Sequence, residues 1–462
     1  MNSTLHKLSL AALVALPLLH ACGGSSSGSG SSSVRLVNAS ADFPTLDLVG
    51  PTGAALSAGV ASFSAGSYGG VDAGTQMLSL KPTGSVSAAA TGSYALGKDT
   101  SYSVVSYVAN GVLTGSLITE SETAPTAGTA KLRIFNTVYN RAVPNDADKL
   151  DVYVVTSNCA DLASSSVAAV SSAVTALGAF TEIGAVAAGT PYHVCVTGAS
   201  DRSDLRLDLP AVTLKDQQVT TLVLTSTPGG VLVNGVQIDQ QGTVTSRRNL
   251  SARVRLVADA ALGGTVSADV GGTTLAPAAG PLPSPRVGSY VLVPVGTGGT
   301  LATSVRINGG PAVAGSVSAT PGTDLTLLVA GTAAAPVVKP IADDNRPSTN
   351  AALPVKVRVV NGINGLPAGS GVDLSVNNAP AASNVLFGNA STPFSTVAAT
   401  AAAATGLEVT SATSVLVNGT PPATTSVFKA SGTDAVLRAG KVYTVFVLGD
   451  VTNTVSLLRQ DH

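Results

Sequence analysis

Short segments in which apolar residues are interspersed with polar ones recur along the whole of this 462-residue chain. In residues 101–108 and 442–448, valine, tyrosine and phenylalanine are mixed with serine and threonine, as expected for strands with one buried face. Asn-Gly dipeptides, such as those at 110–111 and 308–309, mark tight hairpin turns. With about six to eight short strands per hundred residues, the pattern predicts an all-β protein of antiparallel β-sandwiches, broadly immunoglobulin-like.

The first strand of this pattern occurs in four copies. Val34-Arg35-Leu36-Val37-Asn38 returns about every 100 residues with arginine in the same slot, and a strand containing aspartate follows each copy. Repeats this far apart are typical of whole domains joined in tandem, because solenoid units are shorter. The repeated arginines are Arg35, Arg133, Arg255 and Arg358, and the repeated aspartates are Asp47, Asp151, Asp269 and Asp373.

These repeats divide the chain into modules arranged as beads on a string. Outside the modules, the composition predicts a flexible Gly/Ser tether before the first copy and a stiffer Pro-rich linker before the last copy. The predicted segments are an amino-terminal leader at 1–21, the tether at 22–33, β-sandwich modules at 34–128, 129–246 and 247–335, the linker at 336–354, and a fourth module at 355–462.

The repeated charges suggest a common structural role. If the first and second strands of a module are neighbours, arginine and aspartate form a cross-strand ion pair on a half-exposed face, which contributes ~0.2–1 kcal/mol and helps to fix the register. Ligand binding by these charges is the alternative. The predicted pairs are Arg35 with Asp47, Arg133 with Asp151, Arg255 with Asp269 and Arg358 with Asp373.

Three motifs together resemble a known family. The Val-Arg-x-Val-Asn start, the Leu-Asp-Leu/Val second strand and the Ser-Tyr-x-x-Val-x-Ala-Gly segment at 67–74 are similar to domain of unknown function 4397, which occurs in tandem in bacterial lipoproteins. The resemblance extends over nearly the whole chain after residue 33 and is weakest in the third copy. It implies a fold and a location, and no catalytic residue.

The amino terminus indicates where the protein resides. Lys7 precedes an apolar run at 8–19, which is too short for a membrane span of ~20 residues and is typical of a signal peptide. Residues 19–22, Leu-His-Ala-Cys, resemble a lipobox, which implies cleavage before Cys22 and lipidation of its sulfur. Because Gly23 rather than Asp follows, we expect export to the outer membrane. An ordinary secretory signal is the alternative.

The other two cysteines, Cys159 and Cys195, form an even pair in an oxidising compartment, which favours a disulfide. Two buried thiols are the alternative. A metal site is not expected, because zinc needs three or four ligands and the sequence has no Cys-x-x-Cys pattern.

Charge and composition exclude several function classes. The 25 basic residues are balanced by 26 acidic ones, and no basic stripe is present, so nucleic-acid binding is not expected. The sequence has no phosphate-binding loop, and its lone strand histidine, His193, predicts no catalytic site. Aromatic residues make up only 4% of the chain, and tryptophan is absent, which disfavours carbohydrate stacking.

The sequence therefore predicts a non-enzymatic protein without a cofactor, catalytic residue or metal. We expect it to be anchored in the outer membrane through the lipid on Cys22, and to have a structural or interaction role with an envelope or surface macromolecule as partner. The alternative is a lipoprotein that binds a solute or glycan with loops at the ends of its sandwiches.

Overall fold

The computed structural model describes residues 30–138, 149–177, 180–260, 263–275, 280–398, 407–412, 424–430 and 436–461. The all-β prediction is confirmed: strands account for 60% of the described residues and helix for 2%, and the sheets are arranged as tandem β-sandwich modules. In the described ranges, no helix is long and apolar enough to cross a membrane. The predicted signal peptide and Cys22 lie outside these ranges.

In their described residues, the first two modules contain eighteen strands and one short 3₁₀ helix, Cys159–Ser164. Module 1 has β1 (Ser31–Asn38), β2 (Thr45–Val49), β3 (Ala55–Ala61), β4 (Ser64–Ala65), β5 (Gly69–Asp72), β6 (Gly74–Pro82), β7 (Ala90–Leu96), β8 (Ser101–Ala109) and β9 (Val112–Thr119). Module 2 has β10 (Thr129–Asn136), β11 (Leu150–Val155), β12 (Ser171–Val174), β13 (Thr181–Ala187), β14 (Pro191–Gly198), β15 (Asp201–Thr213), β16 (Val219–Ser226), β17 (Val233–Asp239) and β18 (Val244–Arg247).

The last two modules follow the same plan in the ranges described. Module 3 has β19 (Ser251–Ala260), β20 (Thr265–Val270), β21 (Thr273–Thr274), β22 (Leu282–Pro283), β23 (Arg286–Pro294), β24 (Gly299–Ile307), β25 (Val313–Ala319), β26 (Asp324–Gly331) and β27 (Pro336–Asp343). Module 4 has β28 (Val355–Asn361), β29 (Val372–Val376), β30 (Ala379–Val385), β31 (Phe394–Thr396), β32 (Leu407–Ala412), β33 (Thr424–Ala430), β34 (Val442–Gly449) and β35 (Thr454–Gln460).

Each module consists of two sheets that face each other. The first-strand sheets, which contain the repeated arginine, have the orders β4-β1-β8-β9 (with β5 also on β1), β13-β10-β16-β17-β18, β23-β19-β26-β27 and β31-β28-β34-β35. The second-strand sheets, which contain the repeated aspartate, have the orders β3-β2-β6-β7, β12-β11-β14-β15, β21-β20-β24-β25 (with β22 also on β20) and β30-β29-β32-β33. Within each first-strand sheet the first strand pairs in parallel with a strand far along the chain, and the hairpins are antiparallel. The parallel pairs are β1 with β8, β10 with β16, β19 with β26 and β28 with β34.

Alternation along the first strand explains how each sandwich is filled. In β1, Val34 and Leu36 point inward and pack against Leu46 and Leu48 of the opposite sheet. The residues between them point away from this core, because successive side chains of a strand lie on opposite faces. The other three modules have cores of the same kind, each made from both of their sheets.

The outward faces of the first-strand sheets are also buried, because the modules pack in pairs. Val37 and Val105 of module 1 lie in one apolar cluster with Phe135 and Val223 of module 2. A second cluster joins modules 3 and 4, and its members include Val257, Leu328, Val360, Phe446 and Leu448. The prediction of beads on a string is therefore wrong: each sheet at these joints is covered on both faces.

Two predicted boundaries also change. Residues 336–343, predicted to begin the linker at 336–354, form strand β27 and pair with β26 inside module 3. Pro336 and Pro340 are compatible with this strand, because β27 lies at the edge of its sheet, where a missing N–H can be tolerated. At the other end, β1 begins at Ser31, inside the predicted tether.

Candidate functional site

The four repeated arginines lie at the joints between modules. Each projects from the outward face of its first strand and is buried, with at most 4% of its surface exposed. In each case Nε donates a hydrogen bond to a hydroxyl on the parallel neighbouring strand, at the residue directly opposite in the register. The pairs are Arg35 with Ser103, Arg133 with Thr221, Arg255 with Thr326 and Arg358 with Thr444.

The predicted arginine–aspartate pairs are wrong, because the two strands belong to opposite sheets of the sandwich. The aspartates instead hold nearby turns and edges. The contacts are Asp47 with the Gly59 N–H and the Thr83 hydroxyl, Asp151 with the N–H groups of Ala173 and Ser200, Asp269 with the Thr274 hydroxyl, and Asp373 with the Asn384 N–H. A side chain that faces outward from one sheet cannot reach its counterpart across the filled core.

The carboxylates that neutralise the arginines come from the end of the last strand of the first-strand sheet. This acid is Glu120 in module 1, Asp343 in module 3 and Asp461 in module 4. In each case it accepts a hydrogen bond from the hydroxyl that the arginine of the same module contacts. These three acids are not among the residues predicted from the sequence. The available signal was an acidic residue at or just after the last strand of each of these copies.

In modules 3 and 4, the arginine of each module forms an ion pair with the acid of the other module. Arg255 of module 3 lies 2.5 Å from Asp461 of module 4, and Arg358 of module 4 lies 2.8 Å from Asp343 of module 3. Tyr290 donates its hydroxyl to Asp343 at 2.7 Å, and its ring stacks under Arg255. Burial alone would raise the pKa of Asp461, but the charges of Arg255 and Arg358 hold that pKa below its usual range. We call these five residues the charge cluster.

Modules 1 and 2 are joined by a related arrangement. Arg35 forms a two-pronged contact with Glu120, at 3.0 and 3.1 Å, and donates to the carbonyl of Gly242 in module 2 at 2.7 Å. Gln241 of module 2 donates to the backbone carbonyl of Glu120 at 2.7 Å. Tyr68 covers the Arg35 guanidinium with its ring and donates its hydroxyl to Glu120.

Module 2 departs from this pattern at one position. Gln240 occupies the place in the register that holds the acid in the other modules, and its side chain binds the backbone of Glu122. Glu122, in the connection between modules 1 and 2, provides the carboxylate for Arg133 at 3.0 Å. Its second oxygen lies 3.1 Å from Lys131. The carboxylate that neutralises Arg133 therefore comes from the connection between modules 1 and 2 and not from the last strand of module 2.

These joints are suited to holding modules together in one orientation. Buried ion pairs contribute little net stability, since desolvation offsets the attraction, but removing one partner is strongly destabilising. Each arginine contacts a carboxylate and a hydroxyl, and three of the four, Arg35, Arg133 and Arg255, also lie over an aromatic ring. The ligand-binding alternative is not supported for the repeated arginines, because they are buried and their guanidinium groups are bonded within the protein.

The two described cysteines form a disulfide, Cys159 to Cys195, on the outer face of the second-strand sheet of module 2. Beside it, Nδ1 of His193 lies 3.1 Å from Oδ1 of Asp208, and Sγ of Cys159 lies 3.0 Å from the same oxygen. His193 is thus not a lone histidine, because it belongs to a compact group of sulfur, imidazole and carboxylate.

Removal of this disulfide is expected to weaken module 2. A cross-link between residues 36 positions apart restricts the unfolded chain, so the double variant Cys159→Ala/Cys195→Ala should lower the free energy of unfolding by ~3–4 kcal/mol. Urea unfolding of both proteins in the Cys22→Ser background would measure this loss. An unchanged midpoint would show that the cross-link does not restrict the unfolded state.

A polar cleft of about 340 Å³ lies where modules 1, 2 and 4 meet the connection between modules 3 and 4. Its lining includes Asp42, Ser226, Arg346, Thr349 and Lys356. The hydroxyl oxygen of Ser226 is buried and has no hydrogen-bond partner among the residues that the structure describes.

The fold and these joints define a protein of tandem β-sandwich modules joined through buried charges. One family matches part of it: Domain of unknown function (DUF4397), over residues 32–143, which covers module 1 and the start of module 2. No curated protein matches the chain. A solved structure, the Bacillus anthracis TIE protein, is similar at 8% identity with a TM-score of 0.14. The alignment covers 87% of this chain and 66% of that one, just under two thirds, and so low a score carries no argument.

Proposed function

We propose that this chain is a lipid-anchored, non-enzymatic protein of the bacterial outer membrane that acts as a rigid structural or interaction platform. We also propose that modules 2 to 4 are further copies of the domain matched at residues 32–143. Support for the second point comes from the shared arginine, the hydroxyl beside it and the parallel pairing of the first strand, which are present in all four modules.

The observation that carries this proposal is the use made of the repeated arginines. Charged groups that recur in every module are the first place to look for a shared active or binding site. Here they are buried at the joints between modules, and each contacts a carboxylate and a hydroxyl. The most regular polar feature of the chain therefore fixes how the modules are arranged, which suits a scaffold.

The anchor part of the proposal rests on the sequence around Cys22. Each methylene group of a lipid chain that is buried in the membrane contributes about 0.8 kcal/mol to the binding free energy, and several chains together give durable attachment. The predicted Gly/Ser tether lies before β1, which begins at Ser31, and almost all of it is outside the described residues; a flexible segment of eight such residues would span roughly 15 Å. Module 1 would therefore lie close to the membrane surface, and the later modules would extend or fold over it.

Replacing Cys22 with serine tests the anchor directly. Wild-type protein should be recovered in the membrane fraction, cleaved before Cys22 and heavier than the peptide mass by its acyl chains. The Cys22→Ser variant should lose that added mass and leave the membrane fraction, whereas the neighbouring Ser26→Ala variant should behave as wild type. Intact-mass spectrometry of fractionated cells makes the measurement, and an unlipidated wild-type chain in the medium would contradict the proposal.

Binding of a solute or glycan is the second candidate, and the polar cleft is what favours it. The cleft has hydroxyl, carboxylate and cationic groups from different modules, including Asp42, Ser226 and Lys356. None of the described residues that line it is aromatic, however, and sugars are usually held by stacking on aromatic rings. The scaffold role therefore ranks first.

A further inference from the structure

We propose that, when its disulfide is reduced, this protein binds a zinc-type divalent cation on module 2 through Cys159, Cys195, His193 and Asp208. We call these four residues the sulfur cluster. The proposal goes beyond the scaffold function and does not depend on it, because the cluster lies on a sheet face away from the charged joints. No metal site is predicted at these residues from the sequence alone.

The topology brings the four side chains to one face of the second-strand sheet. His193 and Cys195 are two residues apart in β14, so both project to the side opposite the apolar core. Asp208 in β15 is the direct cross-strand neighbour of Cys195. Cys159 comes from the 3₁₀ helix that lies over this face, and its sulfur reaches the cluster from above.

The distances within the cluster suit a tetrahedral ion. Sγ of Cys159, a ring nitrogen of His193 and a carboxylate oxygen of Asp208 all lie within 4.8 Å of one another. Zinc bonds of about 2.0–2.3 Å place neighbouring ligand atoms roughly 3.3–3.8 Å apart, so small side-chain movements would complete the shell. Cys195 would provide the fourth ligand, since its sulfur is joined to that of Cys159 in the oxidised protein.

The chemistry of the donors favours zinc over calcium or magnesium. Two thiolates and an imidazole are soft or borderline ligands, whereas calcium and magnesium prefer shells made of oxygen. The cluster is open to solvent on the side of His193 and Asp208, whose side chains are 22% and 41% exposed. Cys195 is fully buried, and Leu162 and Leu205 pack around the sulfurs, which would shield metal–thiolate bonds from water.

The disulfide and the metal compete for the same two sulfurs. A trialkylphosphine reductant converts the disulfide and one water into two thiols, and the phosphine becomes the phosphine oxide. Zinc binding then displaces the two thiol protons into solution, because only the thiolate is a ligand. The oxidised protein retains only His193 and Asp208 as free donors, which are too few for a stable zinc site.

Cobalt(II) is the probe of choice, because its thiolate complexes absorb in the visible and near-ultraviolet. The Cys22→Ser chain, whose two remaining cysteines are Cys159 and Cys195, would be reduced with a phosphine and titrated with cobalt(II), followed by zinc. We expect one equivalent of cobalt to bind, with a thiolate charge-transfer band that zinc then removes. The oxidised chain should show no such band.

Variants at the exposed ligands separate metal binding from a purely structural role. His193→Ala and Asp208→Asn should each weaken cobalt affinity more than about tenfold, while the melting temperature of the oxidised chain stays close to wild type. His462→Ala, which removes a histidine outside the cluster, should leave the affinity unchanged.

Three results would overturn the proposal. The first is a reduced chain that keeps its far-ultraviolet circular dichroism yet binds no cobalt. The second is a reduced chain that unfolds in module 2, because no preformed site would then exist. The third is binding of equal strength in the oxidised chain or in His193→Ala.

Discussion

Replacing Arg358 with methionine is expected to lower the free energy of unfolding of the paired modules 3 and 4 by about 3–5 kcal/mol. Arg358 is 1% exposed and is in contact with both Asp343 and Asp461, whose side chains are almost completely buried. Methionine has a similar length but no charge, so Arg255 would be the one positive charge left in the charge cluster to balance the two buried carboxylates. Urea unfolding at neutral pH, followed by circular dichroism, measures the loss.

A matched substitution in the same module is the control. Arg459 lies on β35, but its side chain is exposed, so Arg459→Met should change stability by no more than about 0.5 kcal/mol. Equal losses in the two variants would mean that the charge cluster does not hold the joint. A large loss for Arg358→Met with an unchanged urea dependence would indicate that the effect lies in the folded protein.

The sequence predicted the fold class and the existence of the repeated arginines, because both depend on local pattern. Alternation of apolar and polar residues identifies strands wherever one face is buried, and a repeated motif is visible without any knowledge of contacts. The disulfide was predicted because only two cysteines remain once Cys22 is assigned to the lipid. Each of these inferences needs only residues that are near in sequence or few in number.

The partners of the arginines could not be predicted in the same way, because they are remote along the chain. Glu120 is 85 residues from Arg35, and Asp461 is 206 residues from Arg255. The nearer aspartates offered a simpler pairing, which requires the first two strands to be neighbours. In the sandwich these strands belong to different layers, so proximity in sequence was misleading.

The packing of modules in pairs did leave a trace in the sequence. In Val34-Arg35-Leu36-Val37 every position except the arginine is apolar, which is typical of a strand buried on both faces rather than on one. The prediction from the sequence was instead a half-exposed face, on which the arginine would be partly in contact with solvent. Two apolar faces with one charge between them should instead have indicated a buried charge with a partner from another element.

Replacing Asp259 with asparagine is expected to stabilise the protein at alkaline pH by about 3–5 kcal/mol. Asp259 lies in β19 against module 4, is 4% exposed, and accepts a hydrogen bond from the Gly449 N–H at 2.5 Å. Its other oxygen is buried with no hydrogen-bond partner among the described residues. The pKa of Asp259 is raised to about 8 in all: burial raises it most, the hydrogen bond from Gly449 lowers it, and the nearby Asp450 carboxylate raises it.

The sign of the pH dependence follows from where the proton is held. Between the unfolded pKa of about 4 and the folded pKa of about 8, the folded state of Asp259 keeps a proton that the unfolded state has lost. Stability must therefore fall as pH rises through this window, and it should reach a plateau above it. Asparagine cannot ionise, so the contribution of Asp259 to the slope should be absent in the variant.

Urea unfolding of wild type and Asp259→Asn at pH values from about 5 to 9 would measure the difference between the two slopes. Asp269→Asn, in the opposite sheet of module 3, is the control and should keep the wild-type slope, since it leaves Asp259 and its buried contact with module 4 intact. Parallel curves for wild type and Asp259→Asn would mean that Asp259 is ionised in the folded protein. The buried oxygen would then need a compensating positive charge or donor, and the contact between modules 3 and 4 at this point would have to be looser than the Gly449 hydrogen bond implies.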